Sequence, residues 1–154
     1  MAKGYSEYDL KAVYLYNVLN FTSWPNISAE GLKTICIYGR SPIANSLQLI
    51  AKQQKLKPVM KFLPLADLKN AGECNIIYIA RTQQKHLRMI LEEINNRPIL
   101  LVSDIEKFAY KGGMIGFVAR PQRILLEVNL EEVNHAGIKL GSNLLELATI
   151  VNLE

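Results

Sequence analysis

The chain has 154 residues, 49% of them hydrophobic and 21% charged. That composition suits one domain spanning 1–154 with a real core, and it excludes a disordered or fibrous chain. Uninterrupted apolar runs such as Ile76–Ala80 and Ile99–Val102 are far shorter than the about 20 residues of a membrane-spanning helix, so no direct membrane insertion is expected. The net charge is +4, but the 18 basic residues are scattered, with no run of five or more, so nucleic acid is not an expected partner.

The first predicted element is a helix from about Ser6 to Asn20, with Ser6 as its cap and Asp9 three residues on. Leu10, Val13, Tyr14, Asn17 and Phe21 form one stripe; Tyr8, Ala12, Leu15 and Leu19 form a second. An apolar face this wide needs cover on both sides. Tyr8, Leu15 and Leu19 are therefore the candidate dimer face, with burial in the chain's own core as the competing reading. Pro25, in Ser23-Trp24-Pro25-Asn26, ends the helix.

Strands and helices then alternate. Leu32–Tyr38 reads as a strand, followed by the turn Gly39-Arg40-Ser41-Pro42, with Ser41 as cap and Pro42 at the first helical position. A helix over Ile43–Gln53, a strand over Pro58–Leu63 and a short helix or turn over Leu65–Ala71 follow. Asn75–Ala80 is a third strand, and Thr82 caps a helix reaching about Asn95. Pro98–Val102 is a fourth strand, with Ser103 and Glu106 boxing a short helix over Asp104–Tyr110. After Gly112-Gly113 the pattern changes. Met114–Ala119 and Arg123–Val128 read as a hairpin turning at Arg120-Pro121-Gln122. Asn129, with Glu132 in box position, caps a short helix ending near Gly137, and Leu144–Val151 is a final helix or strand.

This order predicts an α/β fold: a Rossmann- or flavodoxin-like three-layer sandwich with a mostly parallel sheet and a C-terminal antiparallel hairpin. The usual catalytic signatures are missing. There is no phosphate-cradling P-loop and no G-x-S-x-G elbow, and the one-glycine turn after the first strand fails the dinucleotide pattern. Arg40 and Arg81 follow the first and third strands, where a phosphate-receiving regulator would need carboxylates to hold a metal. His86 and His135 read as helix-surface histidines. No metal site, no cofactor and no enzymatic activity are expected.

Ser103-Asp104 lies at the carboxyl end of a parallel strand, where open sheets bind ligands. A plain helix cap explains the same pair. Gly113 and Gly116 permit close backbone approach near the hairpin, and Met114 and Phe117 are apolar anchors for either a partner or the core. Glu127, alone in an apolar run, needs a partner if it is buried and needs none if alternation turns it to solvent. Cys36 and Cys74 fall on the first strand and just before the third. These strands are neighbours in a sheet of order 2-1-3, which puts a disulfide within reach. Two free core thiols satisfy the sequence equally. The first apolar stretch is interrupted by Asp9, Lys11 and Asn17 and is no signal peptide, which leaves both a cytosolic chain and an exported chain whose leader has been removed open.

Five segments in register resemble the YfiR family of bacterial periplasmic proteins. They are Leu10–Asn17 with Phe21–Pro25, Ile35–Gly39, Arg97–Asp104, Gly112–Val118 with Leu126–Leu130, and Ser142–Ala148. The resemblance covers about residues 8–151. It implies a periplasmic regulatory binding protein, commonly dimeric. Such a protein represses a membrane-bound diguanylate cyclase through the cyclase's periplasmic sensor domain, lowering cyclic di-GMP and biofilm formation. It also implies a disulfide between Cys36 and Cys74. The second cysteine pair of some members is missing here. A small-molecule sensor using the crevice near Gly39 and Ser103, or an accessory subunit of an exported assembly, are the alternative readings.

Overall fold

The computed structural model describes residues 6–25, 27, 31–53 and 60–154. Helix α1 (Glu7–Asn20) leads through β1 (Thr22–Ser23) to β2 (Lys33–Tyr38), α2 (Ile43–Lys52) and β3 (Met60–Leu65). A 3₁₀ turn, Leu68–Glu73, precedes β4 (Ile76–Ile79), and a second, Arg81–His86, runs into α3 (Leu87–Ile94). Then come β5 (Leu100–Ser103), a 3₁₀ turn over Phe108–Lys111, and the hairpin β6 (Ile115–Arg120) and β7 (Arg123–Val128). The chain closes with α4 (Leu130–His135), β8 (Lys139–Leu140), α5 (Ser142–Leu147) and β9 (Ala148–Ile150).

Seven strands form one sheet in the order β3-β2-β4-β5-β6-β7-β9, parallel except for the β6–β7 hairpin. Strands β4 and β5 are buried at every position, as central parallel strands covered on both faces must be. Helices α1 and α2 pack side by side on one face. Helix α3 packs on the two 3₁₀ turns that flank β4. The result is a three-layer α/β sandwich of the flavodoxin-like kind, with the hairpin at its C-terminal side. The two sheet margins differ: β3 carries Lys61 and Pro64, whereas β9 reads Ala148-Thr149-Ile150.

The cysteines are bonded. Cys36 lies in β2 and Cys74 just before the adjacent β4, with Cα atoms 5.8 Å apart and an S–S distance of 2.05 Å. Both are buried, at 1% and 4% exposure. Closing a loop over their separation of 38 positions stabilises the fold by about 4 kcal/mol on the chain-entropy argument.

Several sequence expectations change. Leu15 and Leu19 are 0% and 1% exposed, in the chain's own core rather than on a face open to a second copy. The Thr82 hydroxyl donates to the Arg40 carbonyl at 3.3 Å instead of capping, and Ala80 is the N-cap of a 3₁₀ turn. Asp104–Tyr110 is no boxed helix. A bend over Ile105–Lys107, with Lys107 at φ 62°, precedes the 3₁₀ turn. Ser103 belongs to β5 and Glu106 caps nothing. Leu144–Val151 divides between the end of α5 and β9. Asn26 and the start of the strand expected from Pro58 lie outside the described residues. The small antiparallel sheet β1–β8 was unforeseen, because two-residue strands carry no readable period.

Candidate functional site

Parallel strands aim their carboxyl ends at one edge of the sheet, and in open α/β sheets that edge is where ligands bind. At the switch point between β2 and β4 the two following loops clasp each other. Gly39 takes φ 93°, and a Cβ there would come within 2.7 Å of Gln83 Cγ. The better-defined cleft lies further along, past the end of β5 and beside β6 and β7. It holds about 460 Å³ and is lined by groups that include Arg81, Asp104, Gly116, Phe117 and Glu127.

Asp104 is the centre of this region. It leaves β5 with a side chain 1% exposed, and its Oδ2 accepts three hydrogen bonds: from Lys11 Nζ at 2.7 Å, Tyr8 Oη at 3.1 Å and Arg81 Nη2 at 3.1 Å. Lys11 is itself fully buried and also bonds Glu7 Oε2 at 2.5 Å, one helical turn back. Its ammonium lies 4.4 Å from the centre of the Tyr8 ring. Arg81 Nη2 reaches the Asp104 carbonyl as well, at 3.5 Å, which fixes an otherwise exposed guanidinium at the cleft mouth. One carboxylate thus ties α1, the loop after β4 and the loop after β5 together. Removing one member of a buried pair strands a charge, at a cost of about 3–5 kcal/mol.

The surrounding hydroxyls are tuned by the same burial. The Tyr8 phenol is pushed above its ordinary value, first by desolvation and then by the Asp104 charge. Tyr78, buried in β4 beside Asp104, is pushed far up for the same two reasons in the same order. It stays neutral. Yet the Tyr78 hydroxyl and Asp104 Oδ1 are both buried without a hydrogen-bond partner among the described residues. Two such atoms side by side are unusual in a native interior.

Of the residues singled out from the sequence, Asp104, Gly116, Phe117 and Glu127 converge on this cleft. Gly116 and Glu127 are direct partners across the hairpin. Ser103 sits behind it, fully buried. Its hydroxyl donates to the Ile79 carbonyl at 2.6 Å and accepts from Ile105 N at 3.0 Å, bracing β4 against the turn after β5. Gly113 lies against Phe108, whose ring a Cβ would meet at 2.2 Å. Met114 accepts a hydrogen bond from Leu101 N at 3.5 Å and lines a second, smaller hollow of about 230 Å³. Tyr8 meets the site through Asp104, while Leu15 and Leu19 stay in the core.

Lys11 and Arg81 were missed as site residues. Lys11 reads as a polar break in an amphipathic helix, and its partner is 93 positions away. Arg81 had a faint signal as the charge following a central strand. Among the described residues, no group of three or more His, Cys, Asp or Glu side chains could hold a metal ion.

A family model described as YfiR/HmsC-like matches residues 8–149. No curated protein matches the chain.

Proposed function

The chain belongs to the YfiR/HmsC-like family, and from that premise we propose that it is a periplasmic regulatory protein acting by contact with another protein. In this reading it represses a membrane-bound diguanylate cyclase by gripping the periplasmic sensor domain, which lowers cyclic di-GMP and biofilm formation. It performs no catalysis itself and works as a homodimer. The observation that carries the proposal is the family match, which runs through nearly the whole chain.

Three features support it. The buried Cys36–Cys74 bond suits an oxidising compartment outside the cytosol. No helix among the described residues is long and apolar enough to cross a membrane. The most deeply placed acid of the cleft, Asp104, already spends its charge on Lys11 and Arg81 and is held as a structural anchor.

The test uses the purified, oxidised chain and the periplasmic sensor domain of a membrane diguanylate cyclase encoded beside it. Co-elution as a complex is expected, together with lower cellular cyclic di-GMP when the chain is expressed. Unchanged elution of both proteins and unchanged cyclic di-GMP would refute the reading.

A further inference from the structure

The exposed rim of the carboxyl-edge cleft is balanced in charge. Arg81, Lys107, Glu106 and Glu127 line it with both signs of charge, the Lys107 ammonium lying 4.7 Å from the Tyr110 ring and 4.0 Å from Glu154, and Gln84 adds an amide. Arg81 is pre-positioned by its two contacts to Asp104. Lys107 is held at the rim by a left-handed backbone, φ 62°, that non-glycine residues seldom adopt. Behind this rim Asp104 is nine-tenths and more buried, with Oδ2 held by Lys11, Tyr8 and Arg81 and the side chain beside the Tyr78 hydroxyl. Gly116 leaves part of the wall without a side chain.

We propose that this cleft binds a small, uncharged, hydroxyl-rich molecule: a mono- or disaccharide or a related polyol. The volume, about 460 Å³, falls within the range of small-molecule sites. Charge selects the ligand class. Asp104 already has an ammonium and a guanidinium within 3.1 Å, so a cationic ligand would crowd a third positive charge around one carboxylate. An anionic ligand would meet Glu106 and Glu127. A hydroxyl does neither. It donates to a carboxylate and accepts from a guanidinium, ammonium or amide, with no charge to desolvate. Alternating Asp, Glu, Arg, Lys and Gln groups around one concavity match a ring of hydroxyls that each act in both senses. The proposal reaches beyond the regulatory reading and does not depend on it.

The oxidised full chain is titrated calorimetrically with glucose, mannitol, N-acetylglucosamine and maltose, and with succinate and putrescine as charged probes. Saturable binding of at least one of the four polyhydroxy probes is expected, with none of the charged ones competing. Two variants locate the site. A Cβ at Gly116 would stand 3.6 Å from Ala109 N and from Phe108 Cβ, ordinary contact, so Gly116→Ala folds while taking space from the cleft. Glu127→Gln removes one acceptor charge at the opposite strand. Each is expected to weaken binding by roughly tenfold, the worth of one good polar contact, with the thermal midpoint retained. Binding of the charged probes alone, no binding by any of the four, or equal binding in both variants would overturn the proposal.

Discussion

Lys11 and Asp104 form a fully buried ion pair 2.7 Å apart, and a pair of this kind is more costly to break than to replace. Lys11→Met or Asp104→Leu alone is expected to lower unfolding free energy by about 3–5 kcal/mol, because each leaves the other buried charge short of its nearest partner. Lys11→Met combined with Asp104→Leu should cost much less than the two single changes added together. Urea denaturation of the four proteins measures the coupling directly. Asp9 works in the opposite setting, at the surface. The Ser46 hydroxyl, donating at 2.6 Å, and the Ser6 cap hold its carboxyl below the ordinary value of 3.8. A depressed folded value means that the stabilisation is complete above the unfolded value and fades as pH falls through the folded one. Ser46→Ala should therefore lower stability evenly at neutral and alkaline pH, with the deficit shrinking as pH falls below 3.8, as urea denaturation across pH would show. Tyr78 has the reverse sign. Its folded value is raised, so its neutral form stabilises the fold below its ordinary value of 10.0, and that contribution is lost as pH rises. Tyr78→Phe removes a hydroxyl without a hydrogen-bond partner among the described residues and should be neutral or stabilising by up to about 1 kcal/mol, with alkaline unfolding moved to higher pH.

At the scale of the element, the strands were legible because central parallel strands must be apolar on both faces. Ile76–Ile79 and Leu100–Ser103 announce themselves, and the neighbouring placement of β2 and β4 follows from doubly wound topology. The segment after β5 was misread. Ser103 and Glu106 have capping-box spacing, but the Ser103 hydroxyl is already committed to the Ile79 carbonyl and to Ile105 N. A tertiary bond there overrides a local preference. Helix α1 was read with the correct extent and an ambiguous face. Sequence shows that a stripe is apolar, while packing decides what covers it. Here the sheet and α2 take Leu15 and Leu19. The disulfide belongs to this scale too. Because both sulfurs are buried, a mild reductant should leave the bond intact until the fold opens. Thiol labelling across a urea gradient is expected to report free cysteines only through the unfolding transition. Replacing both cysteines with alanine should cost about 2–5 kcal/mol.

For the molecule as a whole, the architecture was readable, and four residues singled out in the sequence line one cleft. Their convergence was not readable. Asp104, Gly116, Phe117 and Glu127 come from three chain segments, and Lys11 reaches Asp104 across 93 positions. A lone buried lysine has no local signature, since the pattern that hides it is the pattern of an ordinary amphipathic helix. The β1–β8 pairing escaped for a related reason: Thr22↔Leu140 and Ser23↔Lys139 join the two ends of the described chain through strands too brief to alternate.

The sulfur bridge spans β2 and β4, and no second disulfide staples the other side of the sheet, where β6 and β7 line the cleft and β9 pairs with β7. The molecule therefore has a stiff flank and a compliant flank. Native-state amide exchange should be slowest through β2 and β4 and measurably faster through β7 and β9, with the contrast shrinking once both cysteines are replaced. Work done on the compliant flank, by a ligand or by a docking protein, can then be absorbed as strand breathing without straining the covalent tie.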